Sequence, residues 1–222
     1  MGNNVLSFSG GKDSTAMVLE MLDRGESIYS IVFVDMGYDF PQVYRHIDKL
    51  EKYIGIKITR LYPSTSLTDL MIHRPISRGK HKGQIGYGWM RSNARFCTTY
   101  KTQALDKYKR NIPNLVECIG IAADEPRRIR DKRYPLVEYG ITEKDALAIC
   151  YKHGFHYEGL YEKFARLSCY ICPFKRLNEL EVIYKEFPEL WNDIKALDDH
   201  CVNDFRPDYS IYELEERFSS NG

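Results

Sequence analysis

Short β-branched runs alternate with single amphipathic stretches from the N-terminus onward, and this alternation leaves few ways to fold. Residues 5–8 read as a buried strand. Residues 15–24 read as a helix, with Val18, Met21 and Leu22 at helical spacing and Gly25 just past its end. Residues 28–34 form the strongest strand candidate. Residues 41–54 follow as a helix with Val43, Ile47, Leu50 and Ile54 on one stripe and Gly55 as its stop. Residues 56–61 and 115–121 give a third and a fourth strand. Strands separated by single helices build βαβ units, hence a parallel sheet covered on both faces. The expectation is a Rossmann-like α/β sheet of about five strands followed by a helical section. Helices are predicted over residues 142–151, 177–187, 189–199 and 211–218. The expected division is residues 1–137 for the sheet domain and 138–222 for the helical section, with no Pro/Gly/Ser linker between them.

Residues 9–14, Ser-Gly-Gly-Lys-Asp-Ser, join the first strand to the first helix. Adjacent glycines turn tightly and bring backbone N–H groups close to an anion, and the helix N-terminus adds partial positive charge. No Gly stands five residues before Gly11, so this is not a Walker A loop, and it is not G-x-G-x-x-G.

Bulk charge names no partner, because 32 Lys and Arg balance 31 Asp and Glu to a net +1. The local distribution is more informative. Residues 70–105 contain no acid and carry Arg74, Arg78, Lys80, Lys82, Arg91, Arg95 and Lys101, a net +7. Residues 178–218 hold twelve acids against four bases, a net −8. A Gly-rich basic segment with Tyr87 and Trp89 suits an anionic polymer, a lid over a nucleotide, or pairing with the acidic tail. The longest near-apolar run, residues 28–34, is far too short for a membrane span, so no membrane partner is expected. Residues 1–5 lack a cationic or apolar leader, and Leu6 stands where a myristoylation motif wants Ser or Thr. Six cysteines without an export signal read as thiols or metal ligands in a cytoplasmic protein.

The Ser9–Ser14 hexapeptide resembles the PP-loop of the ATP pyrophosphatases, and within them the sulfonucleotide (PAPS/APS) reductase group. Further segments fall in family order. They are Val32-Phe33-Val34-Asp35-Met36-Gly37 with Phe40-Pro41, Arg95-Phe96-Cys97-Thr98 with Lys101, and Gly120 through Glu125 with Arg127 and Arg128. Tyr134-Pro135-Leu136, residues 141–145 and Gly159-Leu160-Tyr161 continue the series, so the resemblance spans roughly residues 5–175. It implies an adenine nucleotide alpha hydrolase-like fold that binds ATP with Mg²⁺ and splits it at the α–β bond. By this resemblance Ser7, Ser9, Gly10, Gly11, Asp13, Ser14 and Thr15 hold phosphates and metal. Asp35, Met36 and Gly120 lie near the nucleotide. Lys12, Asp13, Arg127 and Arg128 are the catalytic set.

Cys169-Tyr170-Ile171-Cys172 can place both thiols on one metal or cluster, although a redox dithiol or two buried small residues fit the same spacing. In the resembling reductases a Cys pair joins such a C-x-x-C on a [4Fe–4S] cluster. Cys97 matches the second of that pair and Phe96 replaces the first. The implied ligands are therefore Cys97, Cys169 and Cys172, with Zn²⁺ the alternative and a fourth ligand open among Cys201, Cys150 or a His. Cys118 and Cys150 read as core residues.

Those reductases end in a cysteine-bearing tail that attacks sulfur, whereas residues 216–222 here carry no Cys. The resemblance thus favours the ATP-pyrophosphatase component of DNA phosphorothioation systems, or a tRNA-thiolation enzyme. Either would adenylylate a nucleic acid bound through residues 70–105 and take sulfur from a cysteine desulfurase. A sulfonucleotide reductase using an external thiol and a non-catalytic nucleotide-binding subunit are the alternatives. Homo-oligomerisation stays open.

Overall fold

The computed structural model describes residues 2–220; Asn221 and Gly222 of the tail lie outside the described residues. In chain order the elements are β1 (Asn3–Phe8), α1 (Lys12–Asp23), β2 (Ser30–Val34), α2 (Pro41–Ile54), β3 (Ile58–Leu61), α3 (Leu67–Ile72) and α4 (Phe96–Lys109). Then come β4 (Leu115–Ile119), α5 (Pro135–Glu138), α6 (Glu143–Lys152), α7 (Leu160–Lys163), α8 (Leu177–Glu186), α9 (Pro188–Asp198) and α10 (Ile211–Ser220).

The chain forms two compact units. Among the described residues the first holds 2–35, 40–62 and 103–167, and the second 36–39, 63–102 and 168–220. The chain therefore passes between the units several times, where a linear reading places one boundary at 137/138. Helices α5, α6 and α7 fold with the sheet.

The first unit is a parallel sheet in the order β3-β2-β1-β4, with helices on both faces. Ile31 to Val34 of β2 are all buried, as a central strand covered on both sides requires. The crossovers from β1 to β2 and from β2 to β3 step one way across the sheet, and the return to β4 steps back past β1. The C-terminal ends of β1 and β4 thus flank a topological switch point, the usual ligand position in open α/β sheets.

Four strands form where about five were expected. Beyond β4 the chain makes a single parallel bridge, Arg133 to Cys118, in which Arg133 N–H donates to the Glu117 carbonyl and Ile119 N–H to that of Arg133, both at 3.0 Å. Pro135 opens α5 two residues later and ends the pairing, having no N–H to give. The Arg133 side chain is drawn off to Glu26 (2.6 Å) and Glu138 (2.7 Å).

Helix α2 matches its expected bounds and ends on Gly55 at φ +67°. Helix α1 starts three residues earlier than its apolar stripe suggests, with Gly11 at its N-cap. Helix α4 was not anticipated at all, because its apolar face is too weak to signal a helix. In the second unit α8, α9 and α10 pack on one another around Trp191 and Phe218, whose rings lie 5.9 Å apart.

One buried polar pair ties α1 to α2. Thr15 Oγ1 lies 2.9 Å from Nε2 of His46, which is only 5% exposed and stacks against Tyr157. Burial, with a smaller push from Lys49, lowers the His46 pKa to about 4. The unfolded chain, titrating near 6.5, then binds the proton that the folded chain refuses, so stability falls as pH drops from about 6.5 toward 4. We expect this group to contribute a loss of about 3 kcal/mol across that window. In urea unfolding, the stability advantage of wild type over His46→Gln should shrink as pH falls from 7 to 5; an advantage independent of pH refutes the assignment.

Candidate functional site

The connection from β1 to α1 is braced by its own side chains. Gly10 takes φ +76°, and a Cβ there would stand 2.7 Å from Val43 Cγ1. The Ser14 hydroxyl donates to the Gly11 carbonyl (3.0 Å) and accepts from the Ser9 N–H (3.2 Å), with Ser9 Oγ 3.1 Å away. Gly120, just beyond β4, lies against this turn. A Cβ on it would sit 2.8 Å from Ser14 Cα and 2.9 Å from the Asp13 carbonyl.

Around the turn is a cleft of about 100 Å³, lined by Ser9, Gly11, Lys12, Asp13, Gly120, Arg128, Tyr161 and Arg166 among others. Small-molecule sites commonly measure about 300–1,000 Å³, so this cleft suits a phosphate group rather than a whole nucleotide. Its charges are arranged in opposed pairs. The buried Lys12 ammonium lies 2.8 Å from Asp13 and 3.2 Å from Glu143. Burial raises the Asp13 pKa, Lys12 opposes the rise, and Glu143 and Glu125 add to it. Arg128 is gripped by both oxygens of Glu125 at 2.7 and 2.6 Å. Tyr161 Oη accepts from the Lys12 N–H at 2.6 Å, and burial lifts its pKa far above the phenol range, so it stays a neutral hydroxyl. Glu143 is held by the α6 cap, where Thr142 and Asp145 satisfy each other's backbone N–H and the Glu143 N–H donates to Asp124.

The remaining implied site residues lie elsewhere. Thr15 is buried, with its hydroxyl on His46 of α2 rather than in the cleft. Ser7 sits within β1 with its hydroxyl 3.3 Å from Glu117. Arg127 is exposed and its carbonyl accepts from Arg130. Asp35 accepts from the Tyr44 hydroxyl at 2.7 Å, and Met36 is buried in the second unit. Glu143, Tyr161 and Arg166 join the cleft with no local signal in the sequence: Lys12 meets Glu143 and Tyr161 across 131 and 149 residues. Only the order of resembling segments hinted at the first two.

Cys97, Cys169 and Cys172 all lie in the second unit, close enough that Cys97 and Cys172 raise the Cys169 pKa and Cys97 raises that of Cys172. Burial is the larger cause in both, so these two thiols are held protonated. Among the described residues no three His, Cys, Asp or Glu side chains form a group able to hold a metal ion. Cys97, Cys169 and Cys172 are each half-buried, and a metal they held would displace their thiol protons. Cys118 and Cys150 are buried, and Cys150 Sγ donates to the Lys12 carbonyl at 3.3 Å. No helix among the described residues is long and apolar enough to cross a membrane.

A parallel sheet that runs from its first strand through a glycine turn into a helix, with cationic side chains at the switch point, belongs to the phosphate-loop class of α/β folds. The phosphoadenosine phosphosulfate reductase domain matches residues 3–175, and the chain belongs to that family of PP-loop proteins. Its fold is similar to that of phosphoadenylyl-sulfate (PAPS) reductase from Candida auris, crystallised as a phosphate complex. The TM-score is 0.51 at 13% identity, over 73% of this chain and 78% of that one. An uncharacterized protein of Methanocaldococcus jannaschii is 29% identical over 206 residues, covering 84% of this chain. An uncharacterized nin region protein of Escherichia phage lambda is 28% identical over 173 residues, covering 67% of this chain. The chain spans 39% and 59% of the lengths of these two relatives.

The Gly120 approach gives a direct test. Gly120→Ala forces a methyl into the backbone of α1's first turn, at an expected cost of about 1–3 kcal/mol. In a domain of this size the melting temperature should fall by roughly 2–4 °C per kcal/mol. An unchanged melting temperature would show that the β4 end does not press on the loop.

Proposed function

We propose that this protein is an ATP pyrophosphatase that activates a nucleic-acid oxygen for sulfur insertion. The observation that carries this reading is the phosphate-sized cleft at the start of α1, with Lys12 and Arg128 on its wall. The acceptor oxygen attacks the α-phosphorus of ATP, the α–β bond breaks, and pyrophosphate leaves with the bonding electrons. A sulfur nucleophile, supplied by a cysteine desulfurase, then displaces AMP from the acceptor.

In this reading the chain's own part is to orient and neutralise. Backbone N–H groups at the α1 N-terminus and the Lys12 ammonium take the charge that grows on the leaving pyrophosphate. Arg128 swings from Glu125 to a phosphate oxygen. Asp13 and Glu143 suit Mg²⁺, which takes one or two carboxylates together with substrate phosphates and supplies counter-charge there. No step depends on the cysteines; iron, zinc and sulfide content after anaerobic purification decides what they bind.

A second reading, a sulfonucleotide reductase working with an external thiol, is favoured by the family match itself.

ATP–pyrophosphate exchange with Mg²⁺ and single-stranded DNA or RNA tests the first reading, and sulfite release from PAPS or APS with thioredoxin tests the second. Lys12→Ala should lower exchange by roughly 10²–10³-fold. Sulfite release without exchange overturns the proposal in favour of the reductase, and ATP binding without either reaction leaves a non-catalytic subunit.

A further inference from the structure

A cavity of about 680 Å³ lies within the second unit, inside the about 300–1,000 Å³ range of small-molecule sites. Its aromatic wall is Tyr87, Trp89 and Phe96, and the rings of Tyr87 and Phe96 stand edge to face at 5.2 Å and 83°. This wall is fixed independently of any ligand. Trp89 is 1% exposed, gives its indole N–H to Asp198 at 2.5 Å and meets Phe205 edge-on at 4.8 Å. Asn203 clamps the same residue's main chain, accepting its N–H at 2.7 Å and donating to its carbonyl at 3.2 Å. Trp89 is therefore committed to the core, and an open stacking face falls to Tyr87 and Phe96.

The charged lining is of one sign. Arg91, Arg95 and His81 face the cavity and no Asp or Glu does, in keeping with the acid-free stretch from 70 to 105. Arg91 spends its donors on the main-chain oxygens of Asp204 (2.7 Å) and Phe205 (3.3 Å), so it holds the wall. Arg95 is exposed and lies 4.6 Å over the Phe174 ring, a stack that leaves the guanidinium's in-plane N–H edge for an anion.

We propose that this cavity receives one nucleotide of a single-stranded nucleic acid, its base on Tyr87 and Phe96 and its phosphate on Arg95. The assignment rests on the nucleic-acid acceptor reading above and names where that acceptor is gripped. A polymer is favoured over a free nucleotide by the exposed Arg78, Lys80 and Lys82. These flank His81 on the same connection and supply charge for neighbouring phosphates.

Fluorescence anisotropy with a labelled single strand of about 12 nucleotides tests this. Wild type should bind with an affinity that falls as salt rises, and far more tightly than it binds adenosine monophosphate. Tyr87→Ala and Arg95→Glu should each weaken binding by roughly tenfold or more, and Arg95→Glu should flatten the salt dependence by about one phosphate contact. Arg95→Lys, which keeps the charge but not the fork, should fall between. Mononucleotide binding as tight as the oligonucleotide's, variants equal to wild type, or no oligonucleotide binding at all would each overturn the proposal. Calorimetry of wild type with ATP separates the two readings. ATP binding without oligonucleotide binding removes only this cavity's role, whereas the reverse removes the ATP proposal and leaves the cavity.

Discussion

The cleft exists because the end of β4 can press against the first turn of α1. Gly120 approaches Ser14 Cα and the Asp13 carbonyl so closely that no side chain fits between them. This contact joins the loop after β1 to the loop after β4, the two strands that flank the switch point. The stretch after β4 carries Glu125 and Arg128 to the rim, and α6, docked on α1, brings Glu143 to Lys12. Tyr161 then closes the far side on the Lys12 N–H. The β1–β4 ladder, which pairs Ser7 with Ile119, brings the two loops side by side, and the bare Gly120 lets them touch.

Internal pairing sets the energetic character of the cleft. A buried ammonium is tolerable only when its charge is met, and Lys12 is met by two carboxylates, both partly exposed. An arriving phosphate would compete with Asp13 and Glu143 for Lys12 and with Glu125 for Arg128. Binding therefore exchanges one set of ion pairs for another, and the net gain is much smaller than the sum of the new contacts. In the proposed reaction a divalent cation would do more than neutralise phosphate: were Lys12 to turn to the anion, Asp13 and Glu143 would need a new positive partner.

Much of the fold was legible because local signals agreed with the global answer. The Ile31–Val34 run is buried on both faces, and Gly55 ends α2 in the left-handed conformation the stop requires. The loop was legible for the same reason, since turn, cap and helix start are consecutive. What failed to show has a common cause. The count of about five strands had no fifth segment behind it, and beyond β4 the pairing stops at one bridge because Pro135 follows and Glu26 and Glu138 take the Arg133 side chain. Tyr161 and Glu143 reach the cleft only through tertiary packing, and Thr15 is engaged by His46 of α2, a contact 31 residues away that no local pattern announces.

The basic segment shows how charge and structure part company. A net +7 beside a net −8 in one near-neutral chain invites the reading that the two simply neutralise each other. The contacts within the second unit point elsewhere. Asp198 is engaged by the Trp89 indole, Asp193 by the Tyr170 hydroxyl and Glu215 by Lys195 of its own acidic stretch. Arg91 reaches main-chain oxygens, and Arg95 a phenyl ring. Asp193 and Asp198 keep their negative charge, since indole and phenol donors are neutral, but neither lines the cavity, whose charged side chains are Arg91, Arg95 and His81. The anion binding proposed for this cavity therefore rests on the cations at its wall rather than on the net charge of the unit, and within a Debye length of about 8 Å physiological salt screens them only in part.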